Sequence, residues 1–527
     1  MLAVLFSRGG GKYIVYISNI GNEDLAVSVL GEDNHVLNVQ LNKITWLGRK
    51  IAIMCLILLG IHLVLIKIFS PKKEIDIVMF FLFSIIPFSI IYLILILPWS
   101  VPDSGTHFLT AYRFSNLLLG NGGARAWTGR ADDVAFIANA WYGGNANPNI
   151  HGYVDVAKNC KLFVENAITI DLPFQFEEME FYSIINYLPQ VTGILIGRIF
   201  GLSTVFSIYL ARVLTMCFYI YFSYHAVKVT PIGKSIFVII SLLPMSLMMS
   251  SSFSYDSMAL ISSLNFVACT LSLYQEKRAK RRLLESMFWA FMVGAVKGGG
   301  YLILLPIVFI LVSKDKRTSR VNIISVVCSG LISVFLFDVV LTGGSKLFQF
   351  GIEGNGKMSA LFAFHEPLKY LQMCIGSYLE YLDGLVFGLG GSYLSWIEAT
   401  IPNTIIVGLL LIMGIYSSYE MDEIKLRNKD KMVFVFIIFL ALLSTPMMLL
   451  SFTDQGSSVV RGLQGRYYLP ILVLVMLVLT KFDLHTCHNT YDGKVCLLND
   501  IKRKCFIGCS VLNCLAVYYM MRLYLER

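Results

Sequence analysis

Charge is scarce in this 527-residue chain: Asp, Glu, Lys and Arg together make up 15% of it. A typical globular protein carries roughly 25%. A soluble chain of this length would need polar skins over several domains, and this composition cannot provide them. Proline (14) and cysteine (11) are also sparse, which excludes a disordered low-complexity chain and a disulfide scaffold. No Walker loop, Rossmann fingerprint, His-Glu-x-x-His helix or Gly-x-Ser-x-Gly elbow appears in a context that would support it. ATP-driven transport and α/β-hydrolase chemistry therefore lack support. Met1 to Arg8 is too short for a cleavable signal peptide and is followed by a glycine run.

What is present is apolar. Hydrophobic residues reach 56% and the mean hydropathy is +0.68, the composition of a chain dissolved mostly in lipid. A helix needs about 20 apolar residues to cross the hydrocarbon layer. On that basis spans are expected near 48–69, 77–98, 207–228, 234–250, 256–274, 285–296, 299–313, 321–341, 403–419, 432–453, 466–480 and 505–522. The net charge of +9 then reports topology rather than nucleic-acid binding. Lys and Arg cluster at 277–282, 314–320, 425–431 and 502–504, with weaker pairs at Lys72/Lys73 and Lys228/Lys234. All six groups fall on the cytoplasmic face only if 183–200 does not cross but lies along the outer interface as an amphipathic helix.

The expected fold is therefore an all-α polytopic membrane protein of about twelve transmembrane helices, multi-pass in the cell membrane, with both termini outside. Large outer loops at 99–206 and 342–402 are left for function. Ahead of the first span lies an outer segment, 1–46, in which residues 12–43 alternate apolar and polar around Gly21-Asn22 and Gly31-Glu32-Asp33-Asn34, the pattern of a small β-meander. Residues 47–76 supply an extra helix and a cytoplasmic turn, 77–480 the main domain, and 481–527 a cytoplasmic loop and the last span. Most cysteines fall inside spans as small hydrophobes. Cys160 and Cys374, on the outer side, are available to pair. His485-Thr486-Cys487-His488 with Cys496 has some look of a zinc loop, but its spacing matches no tetrahedral ligand set.

The most informative stretch is Pro98-Trp99-Ser100-Val101-Pro102-Asp103-Ser104-Gly105-Thr106-His107. Two prolines stop the second span at the outer surface, which puts Asp103 and His107 at the water–lipid boundary, followed by Tyr112 and Arg113. Asp103 or Ser104 can cap a helix starting near Gly105, and Asp103 serves equally well as a catalytic carboxylate. Tyr182, Asn186, Tyr187, Leu188, Pro189 and Gln190 open the interfacial helix. Asp256 sits at an outer turn, where a helix cap is the plainer role. Lys297 stands alone between two short apolar helices joined by Gly298, Gly299 and Gly300, the pattern of a broken hairpin. A lysine there needs a partner, such as a phosphate, or must snorkel to the surface. Arg461 and Arg466, with Tyr467 behind them, offer bidentate phosphate contacts, although one of the arginines can pair with Asp454.

These residues resemble a bacterial family of polytopic membrane proteins of unknown function related to GT-C glycosyltransferases. The likeness is carried by Pro102-Asp103-Ser104-Gly105-Thr106-His107 with Tyr112-Arg113, by Asn186-Tyr187-Leu188-Pro189-Gln190 with Gly193 and Gly197-Arg198, and by Ala211-Arg212. Ser254-Tyr255-Asp256, Lys297 and Gly465-Arg466-Tyr467-Tyr468-Leu469-Pro470 continue it, so that it covers roughly 77–480. The resemblance implies transfer of a sugar from a polyprenyl-phosphate carrier to a cell-surface glycan on the extracytoplasmic side. It also implies catalytic Asp103 and His107, carrier-phosphate contacts from Lys297, Arg461, Arg466 and Tyr467, and a cavity wall of Arg113, Tyr182, Asn186, Tyr187, Gln190 and Asp256. Where the family often has an acid after the Asp and a proline two places before the His, this chain has Ser104 and Gly105.

A divalent metal between Asp103 and Asp256 or Asp132/Asp133 is one possible addition; no other cofactor is expected. The expected partners are the lipid-linked sugar donor, the glycan acceptor and the bilayer, with no nucleic acid. A lipid-linked polysaccharide polymerase or ligase is the alternative class. A transporter or flippase fits less well, because no inverted repeat is evident and the few charges within spans lie near their ends.

Overall fold

A computed structural model describes residues 2–8, 11–20, 24–30, 36–39, 42–69, 76–121, 128–142, 150–171, 184–275, 279–313, 316–340, 356–394, 399–420, 422–480 and 491–525. Tyr182 and the His485–His488 cluster lie outside these residues.

The chain opens with four strands, β1 (Leu2–Arg8), β2 (Gly11–Ile20), β3 (Asp24–Leu30) and β4 (Val36–Val39), paired antiparallel in sequence order. This is the expected meander, extended at its start by the strand Leu2–Arg8. Helices follow. Seven among the described residues are long and apolar enough to cross a membrane: Leu47–Ile68, Ile77–Leu95, Thr204–Val229, Asp256–Tyr274, Arg320–Phe337, Asn428–Phe452 and Asp500–Leu523. Leu302–Leu311, Asn403–Tyr419 and Gly465–Thr480 are shorter apolar segments. The other two expected spans fall on a pair of short helices broken at Leu243, α8 (Lys234–Leu242) and α9 (Pro244–Ser250), and on α11 (Ala279–Ala295).

Local chemistry sets the ends of these helices. The helix Ile77–Leu95 (α2; α1 is Asn42–Phe69) starts where the Asp76 carboxylate accepts the Val78 N–H at 2.9 Å. It stops at Leu95, short of the expected Pro98, because Ile96 and Leu97 must leave helical geometry ahead of a proline. Helix α10 (Asp256–Tyr274) is the axis of the bundle: its whole apolar window is buried by its neighbours, whereas only 17% of the Arg320–Phe337 window is. Helix α3 (Ser104–Leu119), α4 (Ala131–Tyr142) and α5 (Ile150–Lys158) fold the first long loop, together with a two-stranded pairing of Thr128–Arg130 with Thr169–Asp171.

The segment 184–199 forms a 3₁₀ turn (Ile184–Tyr187) and α6 (Leu188–Ile199), packed against α7 (Thr204–Val229). Two glycines one turn apart permit the contact. A Cβ on Gly193 would stand 2.3 Å from the Ala211 Cα, and one on Gly197 would stand 2.3 Å from the Ser207 Oγ. This is the small-residue crossing that brings apolar helices together without a hydrophobic driving force. The buried side of α6 is Pro189, Gln190, Val191, Gly193, Ile194 and Gly197.

Candidate functional site

The site is assembled at one end of α10, where two loops and a hairpin tip meet. The first loop runs from the end of α2 to Asp103. Its turns are closed by Ser100 N–H donating to the Leu97 carbonyl and Ser104 N–H donating to the Val101 carbonyl, both at 3.2 Å. Trp99 packs edge-on to Phe108 with ring centroids 5.2 Å apart, and stacks on Phe253 of the second loop at 6.3 Å. Arg212, fully buried in α7, ties the two loops. Its Nε donates to the Ser251 carbonyl and its Nη2 to the Ile96 carbonyl, each at 2.5 Å. Those carbonyls close α9 and α2, so the guanidinium sits on two negative helix ends.

Asp256 opens α10, but its carboxylate does not cap the helix. It receives the Lys297 ammonium at 2.6 Å, and the Arg466 Nε stands 3.6 Å from its other oxygen. The Lys297 and Arg466 side chains are 16% and 8% exposed, so both cations share one sequestered carboxylate. Lys297 therefore has an internal partner, which removes the snorkelling alternative.

Lys297 comes from the expected break. After α11 ends at Ala295 the chain turns through Lys297 (φ 54°) and Gly298 (φ 59°) into the tight 3₁₀ helix Leu302–Ser313. The turn's backbone is satisfied from α6's side, because the Lys297 N–H donates to Asn186 Oδ1 at 2.9 Å. Rings of Tyr467, Tyr255 and Tyr301 surround the ammonium at 4.4, 5.1 and 5.9 Å. Tyr301 Oη donates to the Tyr467 carbonyl at 3.1 Å. Tyr301 escaped the sequence reading, and Tyr255 entered it only as part of a motif. The signal was an aromatic residue directly beyond the triple glycine.

His107 stands beside this group. It shares a 2.7 Å hydrogen bond with the Tyr187 hydroxyl and lies edge-on to Tyr255, with ring centroids 4.7 Å apart. Burial holds the imidazole well below its ordinary range, at about 3, against an opposite pull from Asp256. It is neutral near pH 7, hydrogen-bonded to Tyr187 beside the Asp256 group. Asp103 is exposed at the start of α3. It occupies the N-cap position in left-handed conformation (φ 61°) and makes no side-chain cap hydrogen bond. Its carboxylate lies close enough for its charge to act on Arg466.

Among the described residues, Asp103 and Lys297 are the only non-glycine positions with positive φ, and both face Arg466 or its carboxylate partner. Three buried polar atoms around the cluster have no hydrogen-bond partner among the described residues: Arg466 Nε, Asn186 Nδ2 and Gln190 Oε1. Gln190 Nε2 donates to the Ser254 carbonyl at 3.3 Å, at the root of the Asp256 loop.

Other expected participants are placed differently. The Arg461 guanidinium pairs with Asp454 at 2.5 Å, a carboxylate that Lys357 also holds, instead of turning to the Asp256 group. Arg113 is half-buried on α3, six residues from His107 and so about 120° around the helix. Asp133 is consumed by Arg130 (2.7 Å), Tyr112 (2.5 Å) and Thr204 (2.6 Å), which makes it a structural carboxylate rather than a metal ligand. No metal-ligating group of three or more His, Cys, Asp or Glu occurs among the described residues. Cys160 and Cys374 are both free thiols, one exposed and one buried.

A family model described as "Predicted membrane protein (DUF2142)" matches residues 98–475. The match begins at Pro98, within the Asp103 loop, and takes in Asp103, His107, Asn186, Tyr187, Asp256, Lys297, Arg466 and Tyr467. The chain belongs to that family. No curated protein and no solved structure matches it.

Proposed function

We propose that this member of the family is a membrane glycosyltransferase of GT-C type, with about twelve spans and its site on the extracytoplasmic face. It moves a sugar from a polyprenyl-phosphate carrier to a cell-surface glycan. The observation that carries this reading is a buried cluster in which two cations, Lys297 and Arg466, share one carboxylate. Two cations against one buried carboxylate, with no hydrogen bond on Arg466 Nε among the described residues, suit a phosphate.

In the transfer, the bond between the sugar's anomeric carbon and the phosphate oxygen breaks as the acceptor hydroxyl oxygen attacks. The electron pair leaves with the phosphate, where Lys297 and Arg466 stabilise the growing charge. The hydroxyl proton passes to a carboxylate acting as general base. Asp103 suits that step, being exposed and free of a cap hydrogen bond. Asp256 suits it poorly, because its charge is already engaged by Lys297. Asp256 instead positions the two cations, and Asn186, Tyr187 and His107 hold the tip and the loop in register. Left-handed backbone at Asp103 and Lys297 supports the assignment, since strain of this kind gathers where a site over-determines the chain.

The placement of the ionised groups at the end of α10, rather than midway along it, favours an enzyme over a carrier that alternates access around a midplane site. The test is transfer by the purified full chain in proteoliposomes, supplied with a panel of polyprenyl-monophosphate sugars and an envelope glycan fraction. Release of polyprenyl phosphate by the wild type, lost in Asp103→Asn, is the expected result. No release from any carrier by a folded wild-type protein overturns the reading.

A further inference from the structure

At the other end of α7 and α11, far from the Asp256 group, a cavity of about 260 Å³ opens between the two helices. Lys228 and His225 line it from α7, and Arg281 and Arg282 from α11, with Tyr221 and Tyr224 beside them. About 20 Å of α11 separates Arg282 from the Lys297 tip, so this is a second place and not a wing of the first. We propose that it binds the phosphate head group of an anionic membrane phospholipid. The inference does not depend on the transfer reading.

Three observations carry it. The first is charge. Of the carboxylates packed here, Glu285 is shared by Arg281 (2.8 Å) and Arg282, so three lining cations face one counter-charge. The second is preorganisation. Asn265 Nδ2 donates to the Phe222 and Ile261 carbonyls, which leaves Asn265 Oδ1 to accept from His225 Nδ1 at 2.7 Å. That bond fixes the imidazole ring at the cavity wall. Lys228 lies over the Tyr224 ring at 5.5 Å and donates to its hydroxyl at 3.4 Å, which steadies the ammonium at the rim.

The third is the apolar track that leads away from the cavity. Tyr221 on α7, which also lines the cavity, and Leu284 and Phe288 on α11 are 63%, 58% and 52% exposed, as apolar side chains that face hydrocarbon are. Behind them Phe222 and Trp289 meet edge to face at 5.0 Å, and Phe288 and Trp289 likewise at 5.0 Å. A ligand with a phosphate at one end and hydrocarbon at the other satisfies both halves. A soluble phosphate would satisfy only the first. Basic pockets between helices at a bundle end suit lipid head groups for this reason, and tyrosine and tryptophan at the boundary mark the depth of the interface.

Native mass spectrometry of the full chain tests this, with detergent micelles supplemented by dioleoyl phosphatidylglycerol or dioleoyl phosphatidylcholine. The expected result is retention of phosphatidylglycerol adducts and not of phosphatidylcholine. Retention should fall about fivefold for each cation removed in Lys228→Gln and Arg282→Gln, with no change in Lys280→Gln, whose residue neighbours the cavity without lining it. Lys228→Gln removes no ion pair to Glu285, so it remains informative if Arg282→Gln folds poorly. Equal retention of the two lipids, or unchanged retention in Lys228→Gln, overturns the proposal. So does saturable binding of inorganic phosphate without phosphatidylglycerol retention, which would identify a soluble anion as the ligand.

Discussion

The Lys297 ammonium meets the Asp256 carboxylate at 2.6 Å across 41 residues of chain, and Arg466 leans on the same carboxylate from the far end of the domain. The arrangement is asymmetric, and so are its expected failures. Removing Lys297 leaves Asp256 one cation, whereas removing Asp256 leaves two buried cations facing each other. Asp256→Asn should therefore cost about 3–5 kcal/mol, as expected for an uncompensated buried charge. Lys297→Met should cost less, and the double variant should be more stable than Asp256→Asn alone. Thermal unfolding of the three proteins in detergent checks the order, and a double variant below both singles would contradict it.

Asp103 adopts a left-handed backbone without the compensation of a cap hydrogen bond. Glycine adopts that conformation freely and alanine does not, so Asp103→Gly should exceed Asp103→Ala in stability by about 1 kcal/mol. Neither variant should transfer sugar. If Asp103→Gly kept full activity, the carboxylate would have no part in the chemistry.

The α6–α7 crossing gives a prediction about repair. Gly193→Ala drives a methyl into the Ala211 backbone, whereas Gly197→Ala meets the Ser207 side chain. Each should destabilise by about 1–3 kcal/mol. Adding Ser207→Gly should restore much of the loss in Gly197→Ala and none of it in Gly193→Ala. Melting temperatures of the singles and doubles decide this, and equal rescue of both would mean that the helices shift as a unit.

His107 ties stability to pH. Its folded pKa lies at about 3, below the ordinary imidazole value, so the unfolded chain binds the additional proton between the two. The stabilisation is therefore whole at neutral pH and is lost as pH falls below the unfolded value, by up to about 1.4 kcal/mol per pH unit. His107→Asn should flatten that acid-side decline between roughly pH 6.5 and pH 5. A variant whose melting temperature follows pH as the wild type's does would show that the imidazole is not the group responsible.

Much of the frame was legible in the sequence because hydrophobic transfer is read locally. Runs of apolar residues mark helices whatever their neighbours are. Pro98, Pro102 and the triple glycine at 298–300 mark breaks by backbone chemistry alone, and the alternation in residues 12–43 marks strands. The Gly193/Gly197 pair stood out only as part of the resemblance, and its close contact with α7 was found in the fold. Asp103, Lys297 and Arg466 stood out as charges that an apolar chain had reason to keep.

The assignment of partners was not legible, because it depends on which helix ends coincide in space. Asp256 has the look of a helix cap in sequence and is a counter-ion in the fold. Arg461 and Arg466 flank the same short loop, yet one turns to Asp454 and the other to Asp256. Arg212 shows only as a charge within a span until the ends of α2 and α9 arrive beside it. Sequence by itself determined which segments form apolar helices, because solvation is a property of each segment. Only the tertiary structure decided which buried charges neutralise one another, because Coulomb energy depends on the few ångströms that packing sets.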